Sequence, residues 1–177
     1  KSNDDTKQKE GGGGKSFSTC LDLGLSQATE YAILVVGDGD FSYSRALMKS
    51  LHPKNLITTS FDTFEELKAK YLHVEEILND LKTWKEEGEG GEGERVKILH
   101  GVDARRLEDV FQENTFDRIV FMFPQSPPRR HARNQIQDHR ALISEFLLSA
   151  RKVLKEGGAI IVTLLQGQGG TTVENNP

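Results

Sequence analysis

Short apolar runs alternate with helical patterns along most of the chain, and this alternation constrains the fold more than any other feature of the sequence. The apolar runs predict five strands, at residues 32–36, 55–61, 95–101, 116–123 and 157–165. The stretches between them predict helices at 42–51, 63–84, 103–111 and 135–154. Strands that alternate with helices form a parallel sheet with helices on both faces, so we expect an α/β fold.

Both ends of the chain are polar and lie outside this pattern. Residues 1–28 predict a flexible N-terminal tail, 29–166 one domain, and 167–177 a C-terminal tail. No apolar run approaches the roughly 20 residues of a membrane span, so we expect no membrane partner. The single cysteine, Cys20, cannot form an internal disulfide or a thiolate metal cluster. No histidine has the spacing of a metal site, and we expect no metal.

The first predicted strand runs into the segment GDGDFS before a helix begins. In parallel α/β sheets, ligands bind beyond the carboxyl ends of the strands, where the strand order reverses, and the first strand normally borders that point. Glycine lets the backbone turn sharply and approach a ligand closely, and the helix that follows offers free N–H groups. The residues predicted to bind a cofactor here are Gly37, Asp38, Gly39, Asp40, Phe41 and Ser42.

The two carboxylates of this turn indicate the kind of ligand. Asp38 and Asp40 would repel the pyrophosphate of a dinucleotide, and Ser42 stands where a dinucleotide-binding loop has its third glycine. A nicotinamide-dependent oxidoreductase is therefore disfavoured. S-adenosylmethionine suits the turn better, because it carries a sulfonium and an ammonium group and no phosphate. The alternative is that Asp38 and Asp40 only stabilise the turn and cap the helix.

Acidic residues after the second and third predicted strands extend the same crevice. Asp62 ends strand two, where a carboxylate can accept hydrogen bonds from ribose hydroxyls. Asp103 follows strand three, where it could reach the adenine amino group. Both residues also precede predicted helices, so each could instead be a helix cap. Together with the glycine turn they predict one continuous adenosine-binding crevice.

Several runs of the sequence resemble, in order, the Rossmann-like domain of the eukaryotic 25S rRNA (uridine-N3)-methyltransferase family. They lie between residues 33 and 165 and are ILVVGDGDFSYSRAL, ITTSFDT, ILHGVDARRL, FDRIVFMFP and HRALISEFLLSARKVLKEGGAIIVTL. The same type of domain occurs in ferredoxin-fold anticodon-binding domain-containing proteins. The resemblance implies a Rossmann-like methyltransferase fold, S-adenosylmethionine as cofactor, a uridine of large-subunit rRNA as substrate, and a nuclear, nucleolar location.

The chain departs from the family pattern after strand four. The family usually has Asn-Phe-Pro-His where this chain has Met122, Phe123, Pro124 and Gln125. Met122 cannot hydrogen-bond a base edge, and Gln125 cannot titrate as histidine would. An inactive cofactor-binding or RNA-binding module is therefore the alternative to an active enzyme. For an active enzyme, the predicted catalytic residues are Asp40, as the nearest carboxylate, and Phe123, Pro124 and Gln125, which would shape the base pocket.

Two further features concern partners. The loop after strand four carries Arg129, Arg130 and Arg133, which are suited to contact RNA phosphates and unpaired bases. The alternative is that these arginines simply belong to a solvent-exposed loop. The formal net charge of −4 argues against tight RNA binding by bulk electrostatics alone. The resemblance implies further sheet strands after strand five, and we expect these C-terminal strands to be missing from this chain. We therefore expect an open edge at strand five that pairs with a partner protein or a second copy.

Overall fold

The computed structural model describes residues 25, 28–84, 95–127, 132–165 and 168, with only the backbone described at 28 and 132–134. Its strands are β1 (Ala32–Val36), β2 (Asn55–Thr59), β3 (Val96–Leu99), β4 (Phe116–Met122) and β5 (Leu154–Thr163). Its α-helices are α1 (Ser42–Leu51), α2 (Phe64–Lys70), α3 (Val74–Lys82) and α4 (Ala132–Val153). Short 3-10 helices occupy Ala28–Glu30 and Ala104–Asp109.

The five strands form one parallel sheet in the order β3-β2-β1-β4-β5. The chain builds outward from β1 to β3 and then returns to the other side of β1, so the strand order reverses between β1 and β4. The predicted α/β fold is confirmed, and so is the place of the first strand beside the reversal point. No described helix is long and apolar enough to cross a membrane.

The two faces of the sheet pack against different helical layers. On β1, Ile33 and Val35 belong to a core cluster that includes residues of α1, α2 and α3. Leu34 and Val36 point to the opposite face and join a second cluster with α4 and the helix Ala104–Asp109. Successive side chains of a strand point to opposite faces. The uninterrupted apolar run of β1 is therefore explained by burial on both sides.

The single helix predicted for residues 63–84 is wrong, because the structure has two helices there. The start is as expected: Thr63 is the N-cap of α2 and forms a reciprocal capping box with Glu66. α2 then ends at Lys70, and its C-cap Tyr71 has an extended backbone, with φ −128° and ψ 115°. The apolar periodicity continues across the break, and no glycine or proline marks it. At the break, Tyr71 places its hydroxyl beside the glycine turn.

The remaining boundaries lie within three residues of those predicted. Three residues of the predicted tails are among those described. Leu25 is fully buried in the first core cluster, Ala28 begins the first 3-10 helix, and Gln168 contacts the loop after β4. Residues 1–24 lie outside the described residues. Within the described part of the chain, β5 pairs with β4 alone, which leaves its other edge unpaired there.

Candidate functional site

The glycine turn is fixed between β2 and β4 at the carboxyl end of β1. The Asp38 N–H donates to the Thr59 carbonyl oxygen at 2.9 Å, and the Gly37 N–H donates to Thr59 Oγ1 at 3.3 Å. Gly37 has φ +61°, and a Cβ there would lie only 2.8 Å from Cε2 of Phe121 on β4. A side chain at residue 37 would therefore be strained and would force the Phe121 ring to shift. The turn lies at the reversal point of the sheet, where a ligand is expected.

Both carboxylates of the turn accept hydrogen bonds from the start of α1. Asp38 Oδ2 accepts from the Ser44 N–H at 2.8 Å, and Asp40 Oδ1 accepts from the Ser42 N–H at 3.0 Å. These bonds satisfy N–H groups that a helix start leaves without intrahelical partners. The capping role weighed as an alternative is thus present at both residues. Within the described residues, no hydrogen bond involves the second oxygen of Asp40, which stays available.

Burial makes Asp38 an unusual carboxylate. Its removal from water raises its pKa from 3.8 to about 6. The charge of Asp40 raises the pKa further, whereas the hydrogen bonds from Ser44 favour the charged form and lower it. The anionic form at neutral pH is therefore held at an energetic cost. A cation beside Asp38 would relieve that cost, so the turn favours a ligand with a positive centre.

The two residues after Asp40 differ in what they can offer a ligand. Phe41 has a left-handed backbone, with φ 64°, and its side chain is fully buried, edge-on to the ring of His100 at 5.5 Å between centroids. Only the backbone of Phe41 can therefore meet a ligand. Ser42 is exposed in the first turn of α1, so its side chain is accessible, although its N–H already donates to Asp40.

Asp62 and Asp103 both lie beyond the strand ends, with different partners. Asp62 Oδ1 accepts from Nζ of Lys70, in the last turn of α2, at 2.6 Å. It does not cap α2, because Thr63 does. Asp103 caps the helix Ala104–Asp109 through the Arg105 N–H at 2.9 Å and also pairs with the Arg105 guanidinium at 2.6 Å. That side-chain hydrogen bond lowers the pKa of Asp103.

His100, which the sequence analysis did not single out, braces the ends of β2 and β3. Its Nδ1 lies 2.9 Å from Ser60 Oγ, and that hydroxyl donates to the Asp62 carbonyl oxygen at 2.7 Å. Since the hydroxyl has one proton, the proton between Ser60 and His100 belongs to Nδ1. Burial lowers the pKa of His100, which favours the neutral ring. His100 therefore positions the Asp62 backbone indirectly, through the Ser60 hydroxyl.

Tyr71 is a second residue that the sequence analysis missed. The extended backbone at the end of α2 brings its hydroxyl over the glycine turn, and a Cβ on Gly39 would lie 3.3 Å from Tyr71 Oη. Within the described part of the chain this hydroxyl has no hydrogen-bond partner. The signal that could have found it is weak, because Tyr71 continues the apolar stripe of a helix. Its position makes it a wall of the crevice.

The predicted acceptor loop follows β4 on the other side of β1. Phe123 has a left-handed backbone, with φ 49°, and its ring is 44% exposed. A bulky residue rarely holds this strained conformation, which is common at functional sites. Its N–H donates to the Thr163 carbonyl oxygen at 2.9 Å, which ties the loop to β5. Pro124 is buried and Gln125 exposed, while Met122 Sδ accepts from the Thr163 hydroxyl at 3.3 Å.

The rest of this loop is held by α4 and by the segment after β5. The backbone N and the Oγ of Ser126 each lie 3.3 Å from His139 Nδ1. Gln135 Nε2 donates to Ser126 Oγ at 2.7 Å. Gln168 donates to the Pro124 carbonyl oxygen and accepts from the Leu165 N–H. None of these contacts was foreseen, because polar residues in a loop carry no signal of their partners.

The predicted RNA-binding arginines are not tested by the structure. Arg129 and Arg130 lie outside the described residues, and Arg133 falls in α4 at a position where only the backbone is described. No group of three or more His, Cys, Asp or Glu side chains within the described ranges could hold a metal ion.

The strand order, the glycine turn and the acidic strand ends are those of a Rossmann-like S-adenosylmethionine-dependent methyltransferase fold. A solved S-adenosylmethionine-dependent methyltransferase from Mesorhizobium loti superposes on 82% of this chain and 52% of its own, with a TM-score of 0.51. The two sequences are 11% identical, so this likeness concerns the fold alone.

The particular family is shown by the sequence comparisons. Residues 34–176 match the BMT5-like family model, described as rRNA (uridine-N3-)-methyltransferase BTM5-like, and the chain belongs to this family. An uncharacterized protein of Arabidopsis thaliana is 31% identical over 143 residues, and the human ferredoxin-fold anticodon-binding domain-containing protein 1 is 32% identical over 144. The matches cover 77% and 80% of this chain, but only 64% and 21% of those proteins.

Proposed function

We propose that the chain binds S-adenosylmethionine in the crevice around the glycine turn and transfers its methyl group to N3 of a uridine in large-subunit rRNA, in the nucleolus. The observation that carries the proposal is the partly buried Asp38 carboxylate in the glycine turn, at the reversal point of a methyltransferase-type sheet. The description of the family supports RNA as the substrate class.

The residues around the turn fit this cofactor. Bound, S-adenosylmethionine supplies an electrophilic methyl group on a sulfonium. The carboxylates of Asp38 and Asp40 offer negative charge to its positive groups, and Gly37 and Gly39 leave the backbone open. Asp62 has one oxygen free of hydrogen bonds within the described residues and stands at the strand end where ribose hydroxyls bind.

The acceptor side must hold a uracil and take a proton from it. The N3 of uracil is a weakly acidic imide nitrogen, so it loses its proton as the new bond to carbon forms. We assign the free oxygen of Asp40 as the acceptor of that proton. The exposed ring of Phe123 offers a face on which an unpaired base can stack. Pro124 and Gln125 would shape the pocket, and Arg129, Arg130 and Arg133 would contact phosphates.

Calorimetric titration with S-adenosylmethionine and S-adenosylhomocysteine tests the cofactor site. We expect micromolar binding by the parent chain and its loss in Gly39→Val and Asp62→Ala. Gly157→Val is the matched control, because Gly157 also has positive φ, +74°, but lies on β5 with nothing within 4 Å of an added Cβ. A folded parent chain that binds neither ligand would refute the proposal.

The second candidate is an inactive module of the same fold. It is favoured by Met122, whose sulfur is engaged by Thr163, and by Gln125, which cannot titrate. Transfer of a labelled methyl group to rRNA by the parent chain would support the enzyme. Transfer only after Met122→Asn and Gln125→His are introduced together would support the module.

We also infer a partner for β5. Its outer edge is unpaired among the described residues, and Leu164 and Leu165, beside its end, are 50% and 51% exposed. The partner would be another protein or a second copy of the chain. A monodisperse, well-folded monomer over a range of concentrations would count strongly against the need for one.

A further inference from the structure

The last turn of α2 lies across the crevice and contacts two of the positions assigned to the cofactor. Lys70 Nζ donates to Asp62 Oδ1 at 2.6 Å, and the next residue, Tyr71, places its hydroxyl beside Gly39. Gly39 and Asp62 belong to the ends of neighbouring strands, β1 and β2. A ligand that extends from one to the other must therefore meet this turn.

The contact of Lys70 with Asp62 is an ion pair at the surface. The Lys70 side chain is 52% exposed and that of Asp62 is 23% exposed. The hydrogen bond that Lys70 donates to Asp62 is the main cause of its raised pKa, so the ammonium is charged at neutral pH. Within the described residues, Asp62 makes no other side-chain hydrogen bond. One oxygen is thus occupied by Lys70, and the other is free.

A ribose diol presents two hydroxyls, and a carboxylate binds both best when both of its oxygens are free. We propose that Lys70 sets the affinity of the crevice for adenosine-containing ligands by competing with the ribose for Asp62 Oδ1, and that ligand binding displaces it. This inference rests on the cofactor site proposed above. It adds Lys70 as a residue that occupies Asp62 before the ligand binds and thereby lowers the affinity for the ligand.

The neighbouring lysine provides a matched control. Lys68 lies on the same helix and also pairs with a carboxylate, Glu75 Oε1, at 2.9 Å. That pair lies between α2 and α3 and involves neither Asp62 nor the glycine turn. A change of Lys68 therefore removes the same charge from the same helix and leaves Asp62 as it was.

The experiment is calorimetric titration with adenosine, S-adenosylhomocysteine and S-adenosylmethionine on the parent chain, Lys70→Met, Lys70→Arg and Lys68→Met. Adenosine is uncharged, so attraction to or repulsion by the removed charge cannot explain a change in its binding. Exposed ion pairs contribute little, so we expect Lys70→Met to bind all three ligands about two- to fivefold more tightly. Lys70→Arg and Lys68→Met should bind like the parent.

Salt gives a second readout that a purely structural role would not move. Screening weakens the ion pair, so the affinity of the parent for adenosine should rise with added salt, while that of Lys70→Met stays constant. Unchanged or weaker binding by Lys70→Met would overturn the inference, since Lys70 would then be neutral or would orient Asp62. If the folded parent binds none of the ligands, the proposed function itself fails, and this inference fails with it.

Discussion

Asp38 provides the sharpest test of the physical reasoning, because its burial has a consequence for stability that depends on pH. Burial raises its pKa from 3.8 to about 6. Between these two values the folded protein holds a proton that the unfolded chain has lost, so the free energy of unfolding falls as pH rises. The difference corresponds to about 3 kcal/mol, at about 1.4 kcal/mol for each tenfold change. The loss is complete about one unit above the folded-state pKa, near pH 7.

Asp38→Asn removes the charge and keeps an oxygen that can accept the Ser44 N–H. Urea unfolding of both proteins between pH 3.5 and 8 measures the difference in their unfolding free energies. We expect that difference to shift in favour of the variant by up to about 3 kcal/mol across this range, with any constant offset from the altered hydrogen bonds set aside.

Asp103→Asn is the control with the opposite sign. The pKa of Asp103 is lowered, chiefly by its hydrogen bond with Arg105, so its carboxylate stabilises the folded state above the ordinary pKa and loses this effect as pH falls. The Asp103 variant should therefore lose stability relative to the parent as pH rises toward about 4, so this pair is also measured below pH 3.5, and the difference should stay constant above pH 4. Parallel pH profiles for the parent and Asp38→Asn would refute the assignment of Asp38 as a buried, energetically costly anion.

Two further predictions concern the crevice. Gly37→Ala should lower the unfolding free energy by about 1–3 kcal/mol more than Gly157→Ala, because both glycines have positive φ but only the Cβ at residue 37 would clash with Phe121. Urea unfolding of the two variants measures the difference, and equal losses would contradict the prediction. Tyr71→Ala should weaken S-adenosylmethionine binding about fivefold through the lost aromatic wall, whereas Tyr71→Phe should lose much less; calorimetry decides, and an unchanged Ala variant would remove Tyr71 from the site.

The fold was predictable because its signals are local. The run AILVV is apolar at every position since β1 is buried on both faces, and the capping box of Thr63 and Glu66 needs only four consecutive residues. The break between α2 and α3 was not predictable. Tyr71 is in phase with the apolar stripe of a single helix, and the sequence carries no signal of its contact with the glycine turn.

The candidate site was likewise predictable only in part: the positions of its residues could be predicted, but their partners could not. The positions of Gly37, Asp38 and Asp62 followed from their place after strands, because the carboxyl ends of parallel strands share one edge of the sheet. Their partners did not follow from the sequence. Lys70, Ser44 and His100 lie on three different elements, and each is brought to its acid, or to the backbone of that acid, only by packing.

These partners also explain how acidic residues can both cap a helix and serve a cationic ligand. Asp38 accepts the Ser44 N–H, yet its pKa stays raised, so that hydrogen bond does not compensate for its burial. A positive group placed beside it would stabilise the anion and draw its pKa down. Binding of S-adenosylmethionine at pH 6 should therefore release protons, with an affinity that rises toward pH 7, whereas Asp38→Asn should release none. Calorimetry in buffers of different ionisation enthalpy measures that release, and binding without it would mean that the ligand's positive groups lie away from Asp38.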